Sequence, residues 1–544
     1  MACMRGPDPA PGERFDSFAR DHLPPPEALP EFLFELPELQ FPARLNCATE
    51  LLDRWVERGQ GDRLCVQGAG LRWTYAELQA QANRIARVLV DELGLVPGNR
   101  VLLRGANSPM LAACWFAVVK AGAIAVGSMP LLRARELTQI VVKAQITHAL
   151  CDATLAAELA VARPDCPTLR HVLHYGGELE ARAAAQPVQF DNVDTAADDT
   201  CLIAFTSGTT GVPKGTMHFH RDVMAACACW PPHVLRATPD DVFIGSPPLA
   251  FTFGLGGLLL FPLSIGASAA LVERASPDAL LPAIAQTRAS VLFTAPTSYR
   301  AMALQLAAQP GAHDLSSLRK CVSAGEALPA ATRALWKQVT GIEIIDGIGS
   351  TEMLHIFISA DEAHARPGAT GLPVPGYRAA VLGDDGRELP RGQVGRLAVK
   401  GPTGCKYLED ARQANYVQGG WNLTGDAYRI AEDGQFEYQA RTDDMIISGG
   451  YNIAGPEVES ALLLHPAVAE CGVVGWPDEA RGQIVKAFVV LKPGEAADAA
   501  MAKTLQDFVK ASIAPYKYPR EIEFRTSLPR TETGKLQRFR LRAP

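Results

Sequence analysis

The feature that most constrains this chain is an apolar run, Leu202–Phe205, that ends in Thr206-Ser-Gly-Thr-Thr-Gly-Val-Pro-Lys-Gly215. A strand feeding such a loop presents bare backbone N–H groups, and glycines let the chain curl closely around an anion. Ser207, Thr209 and Thr210 add hydroxyl donors beside Gly208 and Gly211, and Lys214 adds a positive charge. A polar surface turn is the bland alternative, and so dense a set of glycines and hydroxyls disfavours it. The loop is not a Walker A motif, because Pro213 precedes Lys214 and Gly215 follows it. No dinucleotide fingerprint appears either, since Gly254-x-Gly256 runs on to Leu259 rather than a glycine. The serine-hydrolase elbow Gly-x-Ser-x-Gly is absent.

At 544 residues the chain is too long for one core. Single cores stop growing near roughly 250–300 residues, so two or more domains are expected. Hydrophobic residues make up 48% and charged residues 20%, ordinary for a soluble globular enzyme. A net charge of −7 argues against broad nucleic-acid binding, which calls for a basic face. The twelve cysteines are scattered, and the closest pair, Cys227-x-Cys229, lacks a zinc spacing. The first thirty residues hold charges and no apolar core, so no signal peptide is visible, and reduced thiols in a cytoplasmic protein are expected. Val242–Val272 carries no charged side chain, yet Pro247, Pro248, Gly254, Gly256, Gly257, Pro262 and Gly266 interrupt it. That suits buried strands, turns and a short helix better than a membrane span.

The order of patterns predicts an α/β fold. Residues 1–45 are Pro-rich and are expected to wrap over the body. Thr74 and Glu77 form a capping-box signature, after which Leu78, Ala82, Ile85, Leu89 and Leu93 share one helical face. Val101–Leu103 reads as a strand, Met110–Val119 as an apolar run, and Ala121–Val126 as the next strand. This alternation continues to about residue 380 and implies parallel sheets. Asp384-Asp385-Gly386 and Asp433-Gly434 then read as hairpin turns of a β-rich subdomain over 380–440. Beyond residue 443 come a helix at Pro456–His465, strands at Val468–Gly475 and Ala487–Leu491, a helix at Ala497–Ile513 and a strand at Glu521–Phe524. The expected division is a large domain over 1–442 and a small mobile α+β domain over 443–544.

The loop at 206–215 closely resembles the phosphate loop of the acyl-adenylate-forming superfamily, which includes acyl-CoA synthetases, peptide-synthetase adenylation domains and beetle luciferases. Further motifs follow in the same order over about residues 45–540. Ser323-Ala-Gly-Glu-Ala-Leu-Pro329 resembles the adenine-side loop, and Asp346-Gly-Ile-Gly-Ser-Thr-Glu352 the nucleotide and magnesium motif. Thr424-Gly-Asp426 resembles the ribose-binding acid, and Arg441-Thr-Asp443 the ribose arginine with the inter-domain pivot. Ser448-Gly-Gly-Tyr-Asn-Ile453 resembles the thiol-channel stretch, and Pro529–Lys535 the mobile loop with the catalytic lysine.

The resemblance implies ATP, Mg²⁺ and coenzyme A as ligands, small-molecule chemistry without nucleic acid, and a monomer or homodimer. Thr206, Ser207, Gly208, Thr209, Thr210, Gly211 and Lys214 would hold the β- and γ-phosphates. Thr351 would touch the α-phosphate and Glu352 would ligate Mg²⁺, a hard cation that prefers carboxylate oxygen. Ala324, Gly325, Glu326, Asp346, Gly347 and Ile348 would surround the nucleotide base, with Asp426 and Arg441 at the ribose. Lys535 would bridge the acid and the α-phosphate. Asp443 would be the hinge, and Ser448, Gly449 and Gly450 would line the CoA channel. Taken singly, Asp426 is equally a turn acid and Lys535 a solvated tail charge; the joint pattern decides.

The acyl pocket is expected from Phe251, Thr252, Phe253, Gly349, His355 and Ile356. The run Gly349–Ile356 and the run Tyr516–Arg520 resemble aryl-CoA ligases of the benzoate type. Such ligases often carry alanine and tyrosine where this chain has Thr252 and Phe253. The Pro-rich start and Phe251–Gly257 resemble 2-aminobenzoate–CoA ligases. His355 is either a satisfied core histidine or a contact to the aryl carboxylate or an ortho group. An aryl acid, benzoate or 2-aminobenzoate, is the expected substrate. The alternatives are a medium-chain fatty acid, an adenylation enzyme loading a separate carrier protein, and a catalytically dead nucleotide-binding protein.

Overall fold

The computed structural model describes residues 15–206, 213–442, 444–448, 451–478, 482–513, 515–530 and 536–542. Two parallel-rich sheets form the body. One has six strands, in the order His171–Tyr175, His148–Asp152, Arg100–Arg104, Ile124–Ser128, Thr200–Thr206 and Lys214–Phe219. All neighbours run parallel except the last pair. The other sheet has nine strands, with a parallel centre that includes Val242–Gly245, Val291–Thr294, Lys320–Ser323 and Ile344–Gly349. Helix Pro109–Lys120 contacts strands of both sheets. Every one of its residues is buried, which is why the run is apolar all round rather than amphipathic.

The local signals take the expected form. Thr74 Oγ1 accepts from the Glu77 N–H at 3.2 Å, and Glu77 Oε2 accepts from the Thr74 N–H at 2.8 Å. Leu78, Ala82, Ile85 and Leu89 are fully buried, and Leu93 is half-buried against the same core. The strand expected at Ala121–Val126 is displaced to Ile124–Ser128, because Ala121 and Gly122 form the turn that leaves the helix, with Gly122 at φ +67°. Val242–Val272 resolves into strand Val242–Gly245, short helical turns over 252–264 and strand Ser268–Ala270. Among the described residues no helix is long and apolar enough to cross a membrane. The described cysteines are all buried and unpaired.

An antiparallel five-stranded sheet follows, with Trp421–Ile430 and Phe436–Arg441 joined through the turn at Asp433-Gly434. The other turn, at Asp384-Asp385-Gly386, reverses the chain locally, with Leu382 bridging Glu388, but the next strand begins only at Gly395. The last sheet contains Ile446–Ser448, Val468–Asp478 and Gly482–Leu491, with Glu521–Phe524 parallel to Gly482–Leu491. It packs with helices Gly455–Leu463 and Ala499–Ser512 around its own apolar cluster. Arg300 ties this unit to the body by donating to the Ala469 and Val468 carbonyls at 3.1 and 3.2 Å. The segment from residue 15 to 45 runs over the surface as expected, with the Glu31 N–H bonded to Gly420 O and the Leu33 N–H to Gly401 O.

A buried ion pair closes the helix between the sheets. Lys120 is 1% exposed, and its Nζ meets Asp53 Oδ1 at 2.5 Å and Asn192 Oδ1 at 3.2 Å. Removing one partner strands the other charge in the core. Lys120→Met should cost about 3–5 kcal/mol. Adding Asp53→Leu should restore most of that loss, as read from urea midpoints of the two variants. A Lys120→Met protein as stable as the wild type would show that Asp53 does not depend on this lysine.

Candidate active site

The loop at 206–215 is the connection of a hairpin. Thr200–Thr206 and Lys214–Phe219 pair antiparallel, and Thr206 faces Lys214 across the ladder. Ser207, Gly208, Thr209, Thr210 and Gly211 lie outside the described residues. Thr206 Oγ1 is buried with no hydrogen-bond partner among the described residues. Such an orphan acceptor and donor is costly unless a ligand meets it.

Lys214 points to a second segment. Its Nζ lies 3.4 Å from Glu352 Oε1 and 2.8 Å from the Tyr407 hydroxyl. Tyr407 also donates to Glu352 Oε1. Burial, reinforced by the Glu352 carboxylate, pushes the Tyr407 hydroxyl far above its ordinary pKa, so it stays a donor. Glu352 is only 7% exposed. Tyr407 carries no sequence signal: it lies far along the chain in an irregular segment, brought in by a bridge to Thr216.

The turn that carries Glu352 is strained and closely held. Leu354 is buried at φ +70°, a region a leucine seldom occupies. The Thr351 carbonyl accepts from the Leu354 N–H at 3.2 Å. Ser350 Oγ accepts from the Met353 N–H at 3.2 Å, and Thr403 donates to the Met353 carbonyl at 2.8 Å.

Asp346 sits on strand Ile344–Gly349, in register with Ser323 of the neighbouring strand. This register brings Ala324 and Gly325 beside Gly347 and Ile348. Asp346 is buried, and neither its Oδ1 nor Ser323 Oγ has a hydrogen-bond partner among the described residues. Burial pushes the Asp346 carboxyl up to about 7. Asp426 and Arg441 face each other across the hairpin of the third sheet, with Nη1 to Oδ1 at 3.1 Å. Gly425, at φ +78°, leaves room for that guanidinium, since a Cβ there would sit 2.7 Å from Arg441 Nη2. Asp346 lies on the strand that leads into the turn bearing Glu352, and Lys214 meets that carboxylate. Ser350 Oγ and the Tyr416 hydroxyl, 3.1 Å apart, tie the same turn to the segment that precedes the strand of Asp426.

The acyl-pocket residues divide into two groups. His355 is buried among rings, at 4.4 Å from Phe261, 5.6 Å from Phe253, 5.9 Å from Trp230 and 6.4 Å from Phe293. Its Nε2 donates to the Phe253 carbonyl at 3.3 Å, and its Nδ1 is buried without a partner among the described residues. Burial drives its pKa down to about 3, so the ring is neutral at pH 7. Gly256 makes room for it: a Cβ there would lie 2.3 Å from His355 Cδ2. Gly349 pairs with Ile356, whose side chain packs on Gly347. Phe251 and Thr252 instead line a neighbouring apolar cavity of about 20 Å³ with Leu111 and Trp115. The sequence pattern missed Trp230, Phe261 and Phe293, which lie on separate elements.

Asp443, Gly449, Gly450 and Lys535 lie outside the described residues. Their neighbours are placed. Ser448 ends a strand of the last sheet and is buried. Leu536 donates its N–H to Glu326 Oε1 at 3.3 Å, so the chain just past residue 535 docks on the 323–329 loop. Arg530 Nη1 lies 3.8 Å from the same carboxylate.

Among the described residues, Cys47, Cys201 and His220 form a buried group of metal-donor atoms within 4.8 Å of one another. It sits at the hairpin end remote from the loop. His220 Nδ1 already accepts the Cys47 N–H at 3.1 Å, so the group is satisfied without an ion.

Residues 52–407 match the AMP-binding enzyme family, and residues 457–535 match the AMP-binding enzyme C-terminal domain. The benzoate–CoA ligase of Thauera aromatica is 37% identical over 516 residues, 93% of this chain and 97% of that one. A crystal structure of the anthranilate CoA ligase AuaEII in complex with anthranoyl-AMP superposes with a TM-score of 0.89 at 36% identity, covering 93% of this chain and 98% of that one. A benzoate CoA ligase from Burkholderia xenovorans LB400 gives a TM-score of 0.84 at 32% identity, covering 92% and 100%. The match over both segments, in a shared α/β fold, shows that the chain belongs to the AMP-binding enzyme family.

Proposed function

We propose that this chain is an AMP-forming aryl acid–CoA ligase that acts on benzoate or 2-aminobenzoate. The observation that carries the choice of acid is the ring cluster around neutral His355, one residue beyond the strained turn that bears Glu352. Flat aromatic walls suit a flat ring. The relatives and structures that match include ligases for benzoate and for anthranilate, which is 2-aminobenzoate. His355 Nδ1 is a buried acceptor with no partner among the described residues, and an ortho amino group is a donor of matching kind. This favours 2-aminobenzoate over plain benzoate.

The chemistry follows from charge. A carboxylate resists nucleophiles, and joining it to AMP creates a leaving group. Its oxygen attacks the α-phosphorus of ATP, the bond to the β-phosphate breaks, and pyrophosphate departs. Negative charge grows on phosphate oxygens, so fixed donors and cations should dominate the catalysis. The segment from Thr206 to Lys214 would hold the departing phosphates, and Thr351 would touch the α-phosphate. The buried Glu352 carboxylate and the orphan Thr206 hydroxyl are hard oxygen donors that fit Mg²⁺. When bound there, Mg²⁺ would neutralise phosphate charge. Asp346 would meet the base and Asp426 the ribose hydroxyls, with Arg441 beside it. Lys535 would bridge the acid and the α-phosphate, and the docking of Leu536 on Glu326 supports its approach from the small unit.

In the second step the CoA sulfur attacks the acyl carbonyl and AMP leaves. The unit beyond residue 443 would turn about Asp443 and bring Ser448, Gly449 and Gly450 to the thiol channel, each closure excluding water from the activated acid. Loading of a carrier protein is the rival, and thioester formation with free CoA separates the two.

Acid-dependent pyrophosphate release should be fastest with 2-aminobenzoate or benzoate among benzoate, 2-aminobenzoate, 4-hydroxybenzoate and octanoate. Octanoate ahead by about tenfold, or 1.4 kcal/mol in the barrier, would overturn the aryl reading. Gly256→Ala should push His355 out of place and raise KM for the acid about tenfold while KM for ATP stays unchanged. An unaltered acid KM would mean that Gly256 does not shape the acyl pocket.

A further inference from the structure

His218 lies on strand Lys214–Phe219, fully buried, and none of the phosphate, magnesium or acyl roles above uses it. Side chains two apart on a strand share a face, so Lys214, Thr216 and His218 point the same way. Lys214 meets the Glu352 carboxylate at 3.4 Å. His218 Nε2 meets the Thr351 carbonyl at 2.8 Å. A carbonyl only accepts, so Nε2 carries the proton. One strand face therefore grips consecutive residues of one turn, by side chain at Glu352 and by backbone at Thr351.

That grip falls where the backbone needs support. The same Thr351 carbonyl receives the Leu354 N–H, and Leu354 holds φ +70°. Conformations of this kind cost about 1–3 kcal/mol and persist only where the surroundings impose them. His218 Nδ1 has no hydrogen-bond partner among the described residues and lies 3.8 Å from Asp222 Oδ2, which accepts from Lys406 Nζ at 2.7 Å and from the Phe219 N–H at 2.9 Å. Lys406 also bonds the Gly404 carbonyl at 3.1 Å. Asp222 and Lys406 are fully buried. Burial holds the His218 imidazole below its ordinary pKa, consistent with a neutral donor.

We infer that His218 is a positioning residue. Its Nε2–H fixes the Thr351 carbonyl and so holds the strained turn that aims Glu352 at the phosphate loop and His355 into the acyl pocket. The inference rests on the ligase reading above, because it assigns His218 a part in the adenylation step. It makes the strand of the phosphate-loop hairpin a rigid link between two elements of the site, independent of the ion pair at Lys214.

The chemistry of the substituent provides the test. The amide nitrogen of glutamine reaches the place of imidazole Nε2, whereas asparagine is too short to reach it. Steady-state pyrophosphate release would be measured for wild type, His218→Gln and His218→Asn at varied acid, ATP and Mg²⁺, beside thermal melts. His218→Asn should lower kcat at least about tenfold and raise the Mg²⁺ concentration for half-maximal rate. His218→Gln should keep kcat within about threefold of wild type, at a melting temperature equal to that of the asparagine variant. Equal kcat in the two variants, or a loss that tracks melting temperature alone, would overturn the positioning role. If the asparagine variant does not fold, a folded glutamine variant with kcat down more than about tenfold would overturn it as well. A wild-type protein without acid-dependent pyrophosphate release would instead refute the ligase reading itself.

Discussion

The contact between Lys214 and Glu352, completed by the Tyr407 hydroxyl, is the junction on which the site depends. It joins the hairpin of one parallel sheet to the turn leaving the other, and it takes its third member from a segment far along the chain. Glu352 is nearly closed off from water, and a buried carboxylate without partners is strongly disfavoured. The ammonium and the phenol remove that penalty, and in doing so fix how far apart the two sheets' loops lie. Both groups suit polyphosphate and divalent-cation chemistry, so under the proposed function the contact that closes the fold would also supply charges for the reaction.

Glycine and aromatic side chains divide the remaining work. Gly256 lets His355 lie flat against the helical turn at 252–260, and Gly425 lets Arg441 reach Asp426. Phe253, Phe261, Phe293 and Trp230 come from different elements and converge on His355. Their convergence keeps the imidazole neutral and leaves a polar acceptor inside an apolar cluster. Under the proposed function, that acceptor would reward a substrate that brings both a ring and a hydrogen-bond donor.

Much of this was legible in the sequence, for local reasons. The capping box at Thr74, the alternation of strands and helices, and the turn at Asp433-Gly434 are each set by neighbours a few residues apart, and each stands in the structure as read. The displaced strand at Ile124–Ser128 shows the limit: an apolar run does not mark where a helix exit ends and a strand begins. Glu352 and Asp426 were named from the resemblance of their motifs to the family, and the structure sets them against Lys214 and Arg441. Tyr407, His218 and the rings of Trp230, Phe261 and Phe293 were not legible, since only tertiary packing brings them in. His218 left one usable trace, its even spacing from Lys214 on the same strand.

Under the proposed function, one chain makes an acyl adenylate with one part and a thioester with another. Separate assay of the two half-reactions in Lys535→Ala tests this most directly. Without CoA, the wild type should turn acid and ATP into acyl-AMP and pyrophosphate, and the variant should lose that step. Given acyl-AMP and CoA, the variant should keep much of the wild-type rate of thioester formation. Equal loss in both half-reactions would contradict the account.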